Sequence, residues 1–373
     1  MVVAASVVAA VGTVTGMISA LGQGHHAAGA GPAVTPAPTQ APLPDVPRPS
    51  VTGEPASTSP SATAQPTTQS PSPTRTDRRR PTAAVAGPLL YRHPDSRVAD
   101  WVRAHPDDPR TPLIESRIAG RPAAVWFADH TPATIASRVR AVTSGAAAQR
   151  RVPVLVPYAI PHRDCGGASQ GGAPDLAAYD AWIDAFAAGL GSGEVIVVLE
   201  PDSVAQSGCL PSGDRAARFT ALARAGRVLK AANPAARVYY DAGHSGWNPA
   251  GRQAALLKQA GAASPASSDG IFSNVSNFHT TTDEIAYDRQ VLDALGGPAD
   301  LGAVIDTSRN GNGAPPDGAW CDPSGRRIGR SPTLDTGEPG IDAYLWVKPP
   351  GESDGCKGAA GAFTPSYAYD LVR

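Results

Sequence analysis

The first 90 residues lack any aromatic side chain: every Phe, Trp and Tyr falls at Tyr91 or later. Without aromatics such a stretch cannot build much of a core. Met1–Leu21 also lacks charge. A signal peptide normally opens with Lys or Arg, and none is present, yet the apolar stretch is long enough to span a bilayer. Residues 1–24 therefore read either as a signal peptide whose start lies upstream or as a signal anchor, and both readings place the rest of the chain outside the cytoplasm. Residues 25–86 are rich in Pro, Ser, Thr and Ala, with prolines recurring from Pro32 to Pro81. That composition reads as a disordered linker. One large domain is left for residues 87–373.

Other absences exclude whole classes of function. The chain has little charge imbalance, with a formal net charge of -1, so it carries no footprint for nucleic acid. It has 4 cysteines and no C-x-x-C spacing, which argues against a zinc or redox motif. Cys165, Cys209, Cys321 and Cys356 form an even set in an exported chain, with three pairings open to them. There is no G-x-G-x-x-G fingerprint for a dinucleotide and no H-E-x-x-H metal helix. No Ser–His–Asp signature stands out. No cofactor and no metal is expected.

What is present is a regular alternation. Short apolar runs at Ala123–Phe127, Val152–Ala159, Val195–Leu199, Arg237–Asp241, Gly270–Val275, Ala303–Asp306 and Ala343–Val347 alternate with alanine-rich segments such as Ala133–Ala148, Leu176–Leu190, Asp214–Ala232, Gly251–Ala260 and Asp283–Leu295. Strand then helix, repeated about seven times, predicts an α/β barrel of parallel strands. The run Val195–Leu199 anchors the reading. Its five apolar residues suit a strand buried on both faces, and Glu200-Pro201-Asp202 follows at once. Proline cannot continue a central strand, so both carboxylates belong at the strand's C-terminal end, where barrels carry their chemistry.

The other runs end alike. They lead into Tyr158…Asp164-Cys165, Asp241-Ala242-Gly243-His244, Asn274–Asn277, Asp306…Arg309 and Lys348…Glu352-Ser353-Asp354. In a closed barrel these ends converge on one mouth holding carboxylates, tryptophans, asparagine, arginine and lysine. Such a mouth suits a polysaccharide: indoles stack on sugar faces, and glycosidic cleavage needs one carboxyl to protonate the leaving oxygen and a second to activate water or attack carbon. Trp182 and Trp101 read as packing residues, and Asp306 and Arg309 read either as a buried ion pair that shapes the mouth or as groups that meet the substrate.

In this order the motifs Tyr158-x-x-Pro161-x-Arg163-Asp164-Cys165, Glu200-Pro201-Asp202-Ser203, Tyr240-Asp241-Ala242-Gly243-His244-x-Gly246-Trp247, Asn274-Val275-Ser276-Asn277, Asp306–Gly311, Trp320-Cys321 and Leu345–Gly355 resemble those of glycoside hydrolase family 6 cellulases. The resemblance covers roughly Pro88 to Arg373. It implies a distorted (β/α) barrel with its cleft at the strand C-termini, and a secreted endo-β-1,4-glucanase that hydrolyses cellulose or a related β-glucan with inversion. A non-catalytic β-glucan-binding module and a processive cellobiohydrolase are the alternatives. The resemblance makes Asp202 the general acid, Asp164 its proton-relay partner and Asp354 the candidate base. It assigns substrate contact to Asp241, Tyr158, Trp126, His244, Trp247, Asn277, Trp320, Lys348, Glu352 and Ser169, and site shaping to Arg309 and Asp306. It pairs Cys165 with Cys209 and Cys321 with Cys356. The expected partner is a β-1,4-glucan, bound by a monomer that meets a membrane only through its N-terminal segment. Shortened loops imply an open groove.

Overall fold

Val195–Leu199 forms a strand with all five residues buried, covered on both faces as parallel strands are. It lies within a computed structural model that describes residues 89–373. The segments assigned to residues 1–24 and 25–86, and the first two residues of 87–373, lie outside the described residues.

Seven strands form one sheet, paired in chain order and all parallel. They are β1 (Val125–Phe127), β2 (Val154–Pro157), β3 (Val195–Leu199), β4 (Ala236–Asp241), β5 (Gly270–Ser273), β6 (Gly302–Asp306) and β7 (Ile341–Leu345). Helix α1 (Arg97–Ala104) precedes the sheet. Connecting helices α2 (Ile135–Ala148), α3 (Leu176–Ala187), α4 (Ser212–Ala232), α5 (Ala250–Gln259) and α6 (Thr281–Leu295) follow the first five strands, and α7 (Pro365–Val372) closes the chain. The two-residue period of a strand sorts the side chains. Val154, Val156, Ile196, Val198, Phe272 and Leu345 share the interior cluster. Leu155, Val197, Leu199 and Tyr240 turn outward to pack with Trp182, Phe186 and Leu222 of the helices.

Two features depart from the repeating pattern. No helix joins β6 to β7. Residues 307–340 contain Pro315, Pro316, Pro323, Pro332 and Pro339 among several glycines, which removes helical donors and favours turns. A two-residue parallel ladder, Leu89–Leu90 with Arg151–Val152, lies outside the main sheet. The barrel is distorted at its seam, where β1 and β7 form no ladder. The Ala124 N–H donates to Trp346 O at 2.9 Å, and the Trp126 indole N–H donates to Val347 O at 2.7 Å. These two bonds bring the edges together and fix Trp126 at the mouth.

Candidate active site

The C-terminal ends of the strands surround an open cleft of about 1130 Å³. Its wall carries Trp126, Tyr158, Asp164, Ser169, Asp202, His244, Trp247, Asn277, Trp320, Lys348, Glu352 and Asp354. Asp241, Asp306 and Arg309 are buried behind that wall.

The turn after β3 is strained. Glu200 and Asp202 have φ of 50° and 69°, in the left-handed region that costs a non-glycine residue about 1 kcal/mol or more. Carboxylates hold the turn in place. Glu200 is fully buried and accepts the N–H groups of Ala159 and Ile160 at 2.9–3.0 Å, tying β3 to the segment after β2. Burial pushes its carboxyl up to about 7 against those hydrogen bonds. Asp241, at the end of β4, accepts from the N–H groups of Val204, Ala205 and Gly243 at 3.0, 2.8 and 2.9 Å. For a residue expected to touch sugar, its oxygens are turned to the backbone. Between these anchors Asp202 projects half-buried into the cleft. Burial, then the negative charges of Asp241, Asp164 and Asp354, push its carboxyl up to about 8, with Lys348 opposing. A carboxyl held there is protonated at neutral pH and can donate.

The loop after β2 gathers a second group. Ser169 donates both its N–H and its hydroxyl to Asp164 Oδ2, at 2.7 and 2.9 Å. Its Oγ also lies 3.0 Å from the Tyr158 hydroxyl. Arg163 braces this loop by donating to the backbone oxygens of Ser169 and Ala128, at 2.8 and 2.6 Å, and to that of Tyr158. Its guanidinium also covers the Tyr158 ring at 4.5 Å. Trp126 meets that ring edge-on at 5.2 Å. Burial and then Asp202 raise the Tyr158 hydroxyl well above its ordinary range, so Tyr158 stays neutral.

Asp354 faces the cleft from the β7 side. Arg309 Nη1 pairs with its Oδ2 at 2.7 Å and Lys348 Nζ with its Oδ1 at 3.1 Å. Asp306 and Arg309 do not form the ion pair that sequence proximity suggested. The Asp306 carboxylate accepts backbone N–H groups of Ser276, Ser308, Val347 and Lys348 at 2.9–3.3 Å. Arg309 crosses instead to Asp354, with its guanidinium 4.5 Å over the Phe278 ring. Backbone donors meet the needs of Asp306, while the fully buried Arg309 requires an anion.

Asp322 escaped the sequence reading. It is 3% exposed and accepts from Ser353 Oγ at 2.6 Å and from the N–H groups of Asp354, Cys356 and Lys357 at 2.8, 3.0 and 2.8 Å. Burial pushes its carboxyl up, but these donors outweigh it and hold the group at about 2. Asp322 thereby fixes the backbone that carries Asp354. The only available signal was its place beside Cys321. The disulfides Cys165–Cys209 and Cys321–Cys356 are both formed, each next to one of these carboxylate loops. The spacing G-x-S-x-G does occur twice, at Gly167–Gly171 and Gly351–Gly355. Ser169 serves Asp164 as above, and Ser353 is bound to Asp322, so neither serine is set up by a histidine as a nucleophile.

Flat and polar surfaces flank these groups. Trp247 and Trp320 are 36% and 58% exposed and present indole faces to the cleft. His244 stacks on His279 at 4.3 Å and leans on Trp247 at 5.3 Å. Burial, then His279, lowers His244 to about 3, so the ring is neutral. Glu352 is raised to about 7 by burial, with Lys348 and Arg97 opposing. Asn277 is half-buried at the cleft wall. Among the described residues no group of three or more His, Cys, Asp or Glu side chains is arranged to hold a metal.

A protonated carboxyl and an ion-paired carboxylate in one cleft, between exposed indoles, make an arrangement suited to acid-assisted hydrolysis. The family model described as Glycosyl hydrolases family 6 matches residues 90–373. The chain is 51% identical over 292 residues to Endoglucanase 1 of Streptomyces sp. (strain KSM-9), covering 78% of this chain and 80% of that one. It is 48% identical over 296 residues to Endoglucanase A of Thermobispora bispora, covering 78% of this chain but 64% of that relative. Among solved structures, the endoglucanase Cel6 from Mycobacterium tuberculosis, in complex with a methyl-cellobiosyl thio-cellobioside, superposes with a TM-score of 0.71 at 40% identity, covering 77% of this chain and 97% of that one.

Proposed function

The chain belongs to glycosyl hydrolase family 6, and from that premise we propose that it is an endo-β-1,4-glucanase, cutting internal bonds of cellulose or a related β-glucan with inversion. The relatives' names support the endo mode. The observation that carries the catalytic reading is Asp202, a carboxyl pushed up to about 8 at the bottom of a cleft walled by exposed Trp247 and Trp320.

In this reading a glucan chain lies along the cleft with its sugar faces on Trp247 and Trp320. Tyr158, neutral and fixed by Trp126 and Arg163, sits beside the ring to be cleaved. Asp202 donates its proton to the glycosidic oxygen as that bond breaks. Water attacks the anomeric carbon from the opposite face, and inversion follows from that single displacement. Asp354, charged and held by Arg309 and Lys348, stabilises the positive charge that develops on the ring. The proton lost by water has two acceptors: Asp354 directly, or Asp164 through the Ser169 hydroxyl. Arg309 and Lys348 already occupy both Asp354 oxygens, which favours the Ser169–Asp164 route. Asp241 acts on Asp202 by charge and by fixing the loop behind it.

We place the enzyme outside the cytoplasm as a monomer. Two disulfides suit an oxidising compartment, and among the described residues no helix is long and apolar enough to cross a membrane. The test is reducing-sugar release from carboxymethylcellulose by the purified chain. Release is expected; none from any β-glucan would instead leave a binding module.

A further inference from the structure

The loop His244–Trp247 carries two of the side chains assigned to sugar contact, and it is held from behind by helix α6. The Ser245 N–H, within that loop, donates to Glu284 Oε1 at 2.9 Å. Asp288 lies one turn further along α6, and both carboxyls are 0% exposed. Ser273 Oγ, at the end of β5, donates to Asp288 Oδ2 at 2.9 Å. Glu284 thus holds the loop and Asp288 the end of β5, and the Ser273 hydroxyl also lies close enough to Glu284 to favour its charged form. The remaining oxygens, Glu284 Oε2 and Asp288 Oδ1, are closed off from solvent and meet no hydrogen-bond donor among the described residues.

Residues four apart on a helix are neighbours on one face, so the two unpartnered oxygens belong to adjacent side chains. The titratable groups around the pair offer no compensating cation. Asp283 of α6 itself raises Glu284 by its charge, and Tyr287, whose hydroxyl burial and the two carboxyls push up, is neutral and supplies no positive charge. Tyr287 donates its hydroxyl to Ala242 O and Asn248 O and so has no proton to give. It also faces Asp241 from β4. The nearby imidazoles, His244 on the loop and His279 before α6, are both held neutral by burial. Two buried carboxylates without a cation are costly when both are charged. One proton between them lets the protonated oxygen donate to the other, so neither is left without a partner, and leaves a single charge, which the Ser245 N–H and Ser273 hydroxyl face.

We propose that Glu284 and Asp288 share one proton and act as a unit, as positioning residues that hold the sugar-binding loop His244–Trp247 against the barrel. The proposal rests on reading His244 and Trp247 as sugar contacts. Burial raises both carboxyls, in keeping with a retained proton. The loop fits its support closely: a Cβ at Gly246 would stand 2.5 Å from His279, whose ring also stacks on His244. When pH rises far enough to remove the shared proton, two anions face each other, Glu284 moves off Ser245 and the loop loosens.

The test compares wild type with Glu284→Ala, Glu284→Gln and Trp247→Ala, measuring kcat and KM on a soluble cello-oligosaccharide from acid to alkaline pH, with melting temperatures alongside. Glu284→Ala is expected to raise KM about tenfold, equivalent to about 1.4 kcal/mol of binding, with kcat changed far less. In Glu284→Gln the amide oxygen can accept from Ser245 and the amide N–H can donate to Asp288 without a shared proton. That variant should restore the wild-type KM and remove its alkaline rise. The proposal is overturned if Glu284→Gln follows the wild-type pH profile of KM, or if Glu284→Ala leaves KM unchanged while Trp247→Ala raises it, an outcome that spares the cleft assignment. Should Glu284→Ala fail to fold, the Glu284→Gln profile decides alone. A Trp247→Ala enzyme with wild-type KM would remove the sugar-contact reading and this proposal with it.

Discussion

Replacing Asp202 with Asn should abolish activity on cellulose and at the same time stabilise the fold, in a pH-dependent way. Its carboxyl rises from 3.8 to about 8, so the folded protein holds a proton that the unfolded chain releases near pH 4. Stability from this group is therefore complete at low pH and is lost as pH rises through about 8. At pH 7 the gap above 3.8 is worth up to about 4 kcal/mol at ~1.36 kcal/mol per pH unit. Water in the cleft reaches the half-buried side chain, which reduces the effective figure to about 1–2 kcal/mol. Asparagine fills the same space without the proton requirement. The variant should melt roughly 2–8 °C higher than wild type at pH 7, from about 2–4 °C per kcal/mol for a domain this large, and no higher at pH 4. Its kcat on cellulose should fall by about 10²–10⁴, with a smaller loss on aryl cellobiosides whose leaving groups need little protonation. Calorimetric scans at the two pH values, with both substrates, check this. An Asn variant with the wild-type dependence of melting on pH, or with equal small losses on both substrates, would show that Asp202 is not the buried acid.

Three further outcomes are expected. Asp322→Ala removes the acceptor for four donors around Asp354 and should destabilise the protein by about 3 kcal/mol, with a loss of kcat that Asp322→Asn partly restores; thermal melts and kinetics read both. Reduction of the disulfides should lower activity together with melting temperature, because Cys165 adjoins Asp164 and Cys356 lies two residues past Asp354; each closed loop contributes about 4 kcal/mol in the chain-entropy picture. The first product observed by NMR should be the α-anomer, and an early β-anomer would require Asp354 to act as a nucleophile.

Much of this site could be read in the sequence because barrel chemistry sits next to strand ends, and strand ends are local. Val195–Leu199 followed by Glu200-Pro201-Asp202 shows a buried strand, a stop and two carboxylates within eight residues. The seven runs fixed the order of the sheet, since a parallel barrel pairs its strands in chain order. What stayed hidden depends on wrapping. Arg309 meets Asp354, 45 residues on, because β6 and β7 pair as neighbours and bring their C-terminal ends together, while backbone donors fill the nearer Asp306. Asp322 lies in that segment, where prolines and glycines leave no periodicity to read. The pairing of Glu284 with Ser245 joins a helix face to a loop two elements earlier. Nothing in an alanine-rich amphipathic segment marks a carboxylate as buried. The prolines after β6 mark where the strand–helix repeat breaks.

Internal cleavage of a β-1,4-glucan in an open groove is read out by the viscosity of carboxymethylcellulose, followed against reducing ends during one digestion. A steep fall in viscosity while few reducing ends have appeared is the expected result. A fall only in proportion to reducing ends, with cellobiose as the sole early product, would contradict it.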